Sequence, residues 1–90
     1  MADAKSLAVS VVAADHEVWS GEAKQIVART TEGEIGILAG HEPILAVLAA
    51  GEVRVTTLDG TVVTANAEDG FLSVQNDTVT IVAGAASLVS

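Results

Sequence analysis

Glu52-Val53-Arg54-Val55-Thr56-Thr57-Leu58-Asp59-Gly60-Thr61-Val62-Val63-Thr64-Ala65 is the stretch that decides the fold class. Two runs rich in β-branched residues flank an Asp-Gly pair, and branched side chains suit an extended, pleated backbone better than a helix. Asp-Gly between such runs is among the strongest short-range hairpin signals, because the turn needs a positive φ that glycine adopts without strain. The stretch predicts two antiparallel strands closed by a two-residue turn, with Gly60 as the residue the turn depends on.

Towards the C-terminus the pattern repeats. Phe71-Leu72-Ser73-Val74, a polar Gln75-Asn76-Asp77 link and Thr78-Val79-Thr80-Ile81-Val82 predict a second hairpin, entered through a corner at Asp69-Gly70. Residues 83–90 then finish an edge strand or hang loose; they are too few for a helical hairpin. Towards the N-terminus, Leu7 to Ala14 is almost all small and apolar and reads as a strand buried on both faces, ended by Asp15 and His16. A short strand around Trp19 follows, then a corner at Gly21, then a strand over Glu22 to Thr30. The apolar period in that last segment is mixed, so a helix over Glu22 to Arg29 is the competing reading.

Between these halves lies Thr31 to Leu48, with glycines at 33, 36 and 40 and the chain's one proline. Thr31-Glu32-Gly33 predicts a turn, Glu34 to Leu38 a strand in which Gly36 is a candidate bulge, and Ala39-Gly40-His41 a corner. Pro43 fixes its own φ and pushes Glu42 towards an extended conformation. Ile44 to Ala50 is a short strand or a helical turn. Strands this short, with turn signals every eight to twelve residues, predict an all-β fold: an antiparallel β-sandwich or flattened barrel of roughly 8–10 short strands. One domain spans residues 1–90, with its core over about 7–83 and terminal segments at 1–6 and 84–90.

Composition narrows the function. Twelve acidic against four basic residues give a formal charge of −8, which repels phosphate backbones and anionic lipid and argues against nucleic-acid binding or direct lipid insertion. There is no cysteine, which excludes disulfides and thiolate chemistry. The start carries no basic-then-apolar leader, and the longest apolar run, Ile44 to Ala50, is far short of the roughly 20 residues a membrane span needs. These features predict a soluble, cytoplasmic protein.

Catalytic motifs are weak. His16 and His41 with Asp15, Glu32, Glu34 and Glu42 hold the residue types of a metal or acid–base site, but their spacing does not converge them. A Ser-His-Asp set arises by chance in any chain of this composition. Gly33-x-x-Gly36-x-x-x-Gly40 fits neither the dinucleotide fingerprint nor the phosphate loop, and Gly33-Glu34-Ile35-Gly36 has the form of a KH clamp loop without its helices or positive surroundings. Neither a cofactor nor a metal is expected, nor a catalytic residue. An acidic pair of hairpins also suits a lipoyl- or biotinyl-type carrier domain, yet the tips at Asp59-Gly60 and Asn76-Asp77 carry no lysine. Half the residues are hydrophobic, more than so small a core covers, and the surplus predicts an exposed apolar patch for a protein partner.

Several stretches, in order, resemble one family. Val18-Trp19-Ser20-Gly21, the run from Thr31 to Leu45, Gly51 with Val53-Arg54-Val55, Gly70 to Val74, and Asn76-x-x-Val79-Thr80-Ile81-Val82 are similar to the epsilon subunit of F-type ATP synthases over about residues 7–86. The resemblance implies the N-terminal β-sandwich domain of a non-catalytic central-stalk subunit, which docks the gamma subunit onto the c-ring and couples proton flow to ATP synthesis. It implies a peripheral place at the cytoplasmic face of the bacterial cell membrane, within the complex. It places Glu32 and Gly33 at a c-ring contact, His41 and Glu42 at a rotor interface with gamma or the c-ring, and structural turns at Gly36, Gly40, Pro43, Gly60 and Gly70. The family commonly has Pro-Gly-His where this chain has Ala39-Gly40-His41. Its two C-terminal inhibitory helices have no counterpart in these 90 residues, so no autoinhibitory arm is expected.

Overall fold

A computed structural model describes residues 6–14 and 16–89. Every regular element among them is a β-strand: β1 (Leu7–Val12), β2 (Glu17–Thr30), β3 (Gly33–Leu38), β4 (Ile44–Val47), β5 (Gly51–Thr57), β6 (Val62–Gln75) and β7 (Thr78–Leu88). The all-β, sandwich-like expectation holds. The strands number seven because Glu17 to Thr30 and Val62 to Gln75 each form one long strand of 14 residues.

The pairing closes on itself. β1 runs antiparallel to β2 and parallel to β7, β7 pairs β6, β6 pairs β5, and β5 returns to β2. Five strands thus make a flattened ring without free edges, and closure is what removes the unpaired backbone groups of an open sheet. β3 is added outside β2 and β4 outside β6. The molecule measures 41 × 25 × 21 Å.

The two long strands serve both layers, and each carries one irregularity that lets it do so. In β2, Ala23 pairs Thr57 while Gln25 pairs Thr56, so Lys24 is an extra residue on the β2 side. A bulge of this kind shifts the inward–outward phase by one residue. Ala23 is buried, Lys24 and Gln25 are both exposed, and Ile26 and Ala28 are buried again. The mixed period that kept a helix in contention is therefore a bulged strand. Gly21 is no corner: it pairs with Val9 within β2, and a Cβ on it would come within 3.0 Å of the Trp19 ring.

In β6 the phase changes at Asp69-Gly70. Ala65 and Ala67 are buried before it, Leu72 and Val74 after it, and Asp69 has φ 59. The strand pairs β5 over Val62–Ala67 and β4 over Phe71–Val74, with β7 alongside both halves. The corner expected here is a kink within one strand. Gly70 is required for a separate reason: a Cβ on it would lie 1.7 Å from the Val82 carbonyl oxygen.

The core is Val, Ile, Leu and Ala from the inward face of every layer. Leu7, Ile26, Ile37, Leu72 and Ile81 are its largest fully buried side chains, surrounded by Val11, Val53, Val55, Val74 and Val79. β1 contributes Leu7, Val9 and Val11 from one face only; Ala8 is exposed, and Ser10 and Val12 are half-buried. The expectation of a strand buried on both faces is corrected: small apolar residues also occupy its outward side.

Turn chemistry differs from expectation at both hairpins. Gly60 N–H donates to the Thr57 carbonyl (3.0 Å) and Thr57 N–H to the Thr61 carbonyl (2.8 Å). Gly60 has φ 93 and Asp59 a negative φ, so the loop is the three-residue form, a turn followed by a left-handed glycine. Asp59 accepts from the Thr57 hydroxyl and from Thr61 N–H (3.0 Å), which lowers its pKa to about 2. The two-residue turn with both φ positive is at Asn76 (φ 50) and Asp77 (φ 58), between the paired Gln75 and Thr78. Gly36 is neither a turn nor a bulge: it lies in β3 opposite Val27, in unbroken register.

Candidate docking surface

The outward face of the layer formed by β1, β7, the second half of β6, and β4 is set by register. One row reads Val12, Val82, Phe71, Val47; the next reads Ser10, Thr80, Ser73, Leu45; a third reads Ala8, Thr78, Gln75. None of these residues is charged, in a chain of which 18% is Asp, Glu, Lys or Arg. Leu45 is 74% exposed, Val47 58% and Phe71 42%. An apolar row beside a row of hydroxyls, without charge, is the composition of an interface core rather than of a solvated sheet.

The opposite layer contrasts with it. Arg29, Glu34, Glu52 and Arg54 project from β2, β3 and β5 around a shallow surface recess, and Arg54 Nη2 lies 3.5 Å from Glu34 Oε2. Both side chains are more than half exposed, so the pair is worth at most about 1 kcal/mol.

The residues that sequence and resemblance singled out lie along the β4 border of the uncharged face. Glu32 is exposed at the tip of the β2–β3 turn. Thr30, though buried, organises that turn: its hydroxyl donates to the Gly33 carbonyl (2.7 Å) and accepts from Glu32 N–H (3.1 Å). Thr31 N–H donates to the Val47 carbonyl (2.9 Å), and Ala49 N–H to the Arg29 carbonyl (3.0 Å), which ties the turn to the end of β4. Thr30, Thr31, Glu32, Leu45, Ala46 and Val47 line a recess of about 170 Å³ there.

His41 and Glu42 lie beyond the other end of β4. His41 N–H donates to the Leu38 carbonyl (3.1 Å), Gly40 has φ 88, and Glu42 and Pro43 are exposed just before Ile44. The His41 ring nitrogen Nδ1 is 2.7 Å from the Glu42 carbonyl oxygen; a carbonyl only accepts, so the ring proton is on Nδ1. Glu32 and His41 are not brought together: β3 separates them by its six residues, roughly 17 Å at about 3.3 Å per residue. They bracket β4 instead.

No group of three or more His, Asp or Glu side chains among the described residues has metal-site geometry. No hairpin tip among the described residues bears a lysine: Lys24 lies within β2, and Lys5 is outside the described residues. Sequence reasoning missed Leu45, Val47 and Phe71 as a surface. β4 reads Ile-Leu-Ala-Val with no polar alternation to reveal its outward side, and only the register to Ser73 and Phe71 does so.

Residues 6–89 match the family described as ATP synthase, Delta/Epsilon chain, beta-sandwich domain. The chain belongs to this family. It is similar to the ATP synthase epsilon chain of Micrococcus luteus, 54% identical over 82 residues that cover 91% of this chain and 90% of that one. It is also similar to the epsilon chain of Streptomyces coelicolor, 48% identical over 85 residues, 94% of this chain and 68% of that one. Among solved structures it resembles a chain of the Euglena gracilis mitochondrial ATP synthase (OSCP/F1/c-ring), with TM-score 0.87 and 28% identity over 92% of this chain and 53% of that one. A chain from the central stalk and c-ring of the Tetrahymena thermophila enzyme shares the fold, with TM-score 0.71 and 17% identity over 91% of this chain and 66% of that one. This chain therefore spans about half and two thirds of those two chains.

Proposed function

We propose that this epsilon-family β-sandwich is a non-catalytic central-stalk subunit that docks the gamma subunit onto the c-ring, so that rotation driven by proton flow reaches the sites of ATP synthesis. Its place is peripheral, at the cytoplasmic face of the bacterial cell membrane as part of the complex. The observation that carries the proposal is the uncharged outer face of β1, β7, β6 and β4, with Leu45, Val47 and Phe71 exposed on it. Gamma takes that face, and burial of its apolar row supplies most of the affinity. The turn at Glu32 and Gly33 contacts the c-ring, and the corner at His41 and Glu42 meets the rotor beside it. Nothing in the role requires a side chain to change covalent state; it requires a stiff body with two contact surfaces.

The test is a charge placed on the face. Leu45→Asp changes a side chain that is 74% exposed, so the fold should keep its stability to within about 0.5 kcal/mol. An unpaired carboxylate buried at the interface should weaken binding to gamma at least about tenfold. Glu32→Lys should leave gamma binding intact while weakening attachment to the c-ring. Recovery of gamma by the Leu45→Asp protein at wild-type affinity would remove the face from the interface and the proposal with it.

A further inference from the structure

The connection between β3 and β4, residues 39–43, belongs to no strand, yet it carries His41 and Glu42. A local backbone bond runs from His41 N–H to the Leu38 carbonyl at the end of β3. Among the described residues the connection is tethered over long range by the bond from Gly40 N–H to Asp77 Oδ1, at 2.6 Å and 37 positions away in sequence. Asp77 is held from several sides. It occupies the left-handed region (φ 58) beside Asn76 (φ 50), the strands on either side are in register up to Gln75 and Thr78, and its carbonyl accepts Ala8 N–H at 2.8 Å. A carboxylate on so constrained a backbone is a fixed acceptor, and a charged acceptor makes the shorter, stronger kind of N–H bond.

We propose that Asp77 is a positioning residue: from the β6–β7 turn it holds the Gly40-His41 corner in one orientation for docking to the rotor. The inference rests on the docking role proposed above for that corner. Gly40, with φ 88, is the joint about which the corner would otherwise swing, carrying His41 and Glu42 away from β4. The bond to Asp77 passes the stiffness of the closed ring to a segment that has no sheet pairing of its own. The same residue also anchors the start of β1, so three elements meet at one side chain and its carbonyl.

The experiment compares Asp77→Gly with Asp77→Asn. Both replacements accept a left-handed backbone, so neither strains the turn; only asparagine keeps an oxygen to accept from Gly40. Asp77→Gly should speed hydrogen exchange at the Gly40 amide by roughly fivefold or more. It should lower affinity for the assembled gamma and c-ring by a similar factor, and Asp77→Asn should restore both. Trp19 emission during thermal unfolding reports whether the fold is intact. Unchanged exchange at Gly40 in the Asp77→Gly protein would overturn the tether. Faster exchange with unchanged affinity, where Leu45→Asp still disrupts binding to gamma, would overturn the positioning role and leave the docking function standing.

Discussion

Gly70→Ala tests whether the ring closes as described. A Cβ at residue 70 would lie 1.7 Å from the Val82 carbonyl oxygen and 2.6 Å from the Ala83 Cα, both backbone atoms that no rotamer change can move. Carbon and oxygen approach no closer than roughly 3.3 Å even in favourable contacts, so β6 and β7 must part by roughly 1.5 Å at this point. That displacement stretches the pairing of Gly70 with Ala83 and disturbs the bond from Leu48 N–H to the Gly70 carbonyl (2.9 Å), just beyond the end of β4. Two or three weakened bonds at about 0.5–1.5 kcal/mol each, added to overpacking at about 1–3, give a cost of about 2–7 kcal/mol. A domain of this length has only about 5–13 kcal/mol of stability in all. The melting temperature followed by Trp19 fluorescence should therefore fall by at least about 8 °C, at about 4–8 °C per kcal/mol. Gly36→Ala is the control, because a Cβ there meets nothing within 4 Å, and it should change stability by less than about 1 kcal/mol. A Gly70→Ala protein that melts within about 4 °C of the wild type would refute the close approach of β6 to β7.

Two further outcomes are expected at the β5–β6 hairpin. Gly60 has φ 93, where a branched side chain costs about 1–3 kcal/mol; Gly60→Val should lower the melting temperature by at least about 4 °C, Gly60→Asn much less, and equal melting of the two would contradict the turn. Asp59 has its pKa lowered from 3.8 to about 2, first by the Thr57 hydroxyl and then by Thr61. A depressed folded pKa means that its stabilising contribution is full above about pH 4 and fades as pH falls towards 2. Thr57→Val removes the first cause, so the Asp59 carboxyl resonance should titrate closer to 3.8; an unmoved midpoint would assign the shift to something other than that hydroxyl.

What the sequence reveals here depends on how regularly the chain alternates. The hairpins were legible because Val, Thr and Ile recur on both sides of polar turn residues. Strand length was not, because Gly21 and Asp69-Gly70 look like corners while the backbone passes through each of them within one strand. A bulge at Lys24 and a kink at Asp69 each shift the phase by one residue, and a shifted phase mimics either a helix or a break. Turn type was ambiguous for a similar reason: Asp-Gly supports both a two-residue and a three-residue loop, and the hydrogen bond from Gly60 to Thr57 selects the longer one. Glu32 and His41 were visible as candidates, but their bracketing of β4 was not, since it depends on β4 pairing with β6, a strand far along the chain.

The division of labour among the strands follows from closure. The five strands of the ring pair with one another and enclose a core of Val, Ile, Leu and Ala side chains without large aromatic packing. β3 and β4 pair with the ring on one side only, apart from the bridge of Thr30 to Leu48, and these two strands and their connections carry Glu32, His41, Glu42, Leu45 and Val47. The residues proposed to make contacts therefore sit on added strands whose outer edges are not needed to close the barrel. They can be altered without opening it, which is why charge at Leu45 should weaken docking and leave the fold intact, whereas a single methyl at Gly70 should destabilise the domain itself.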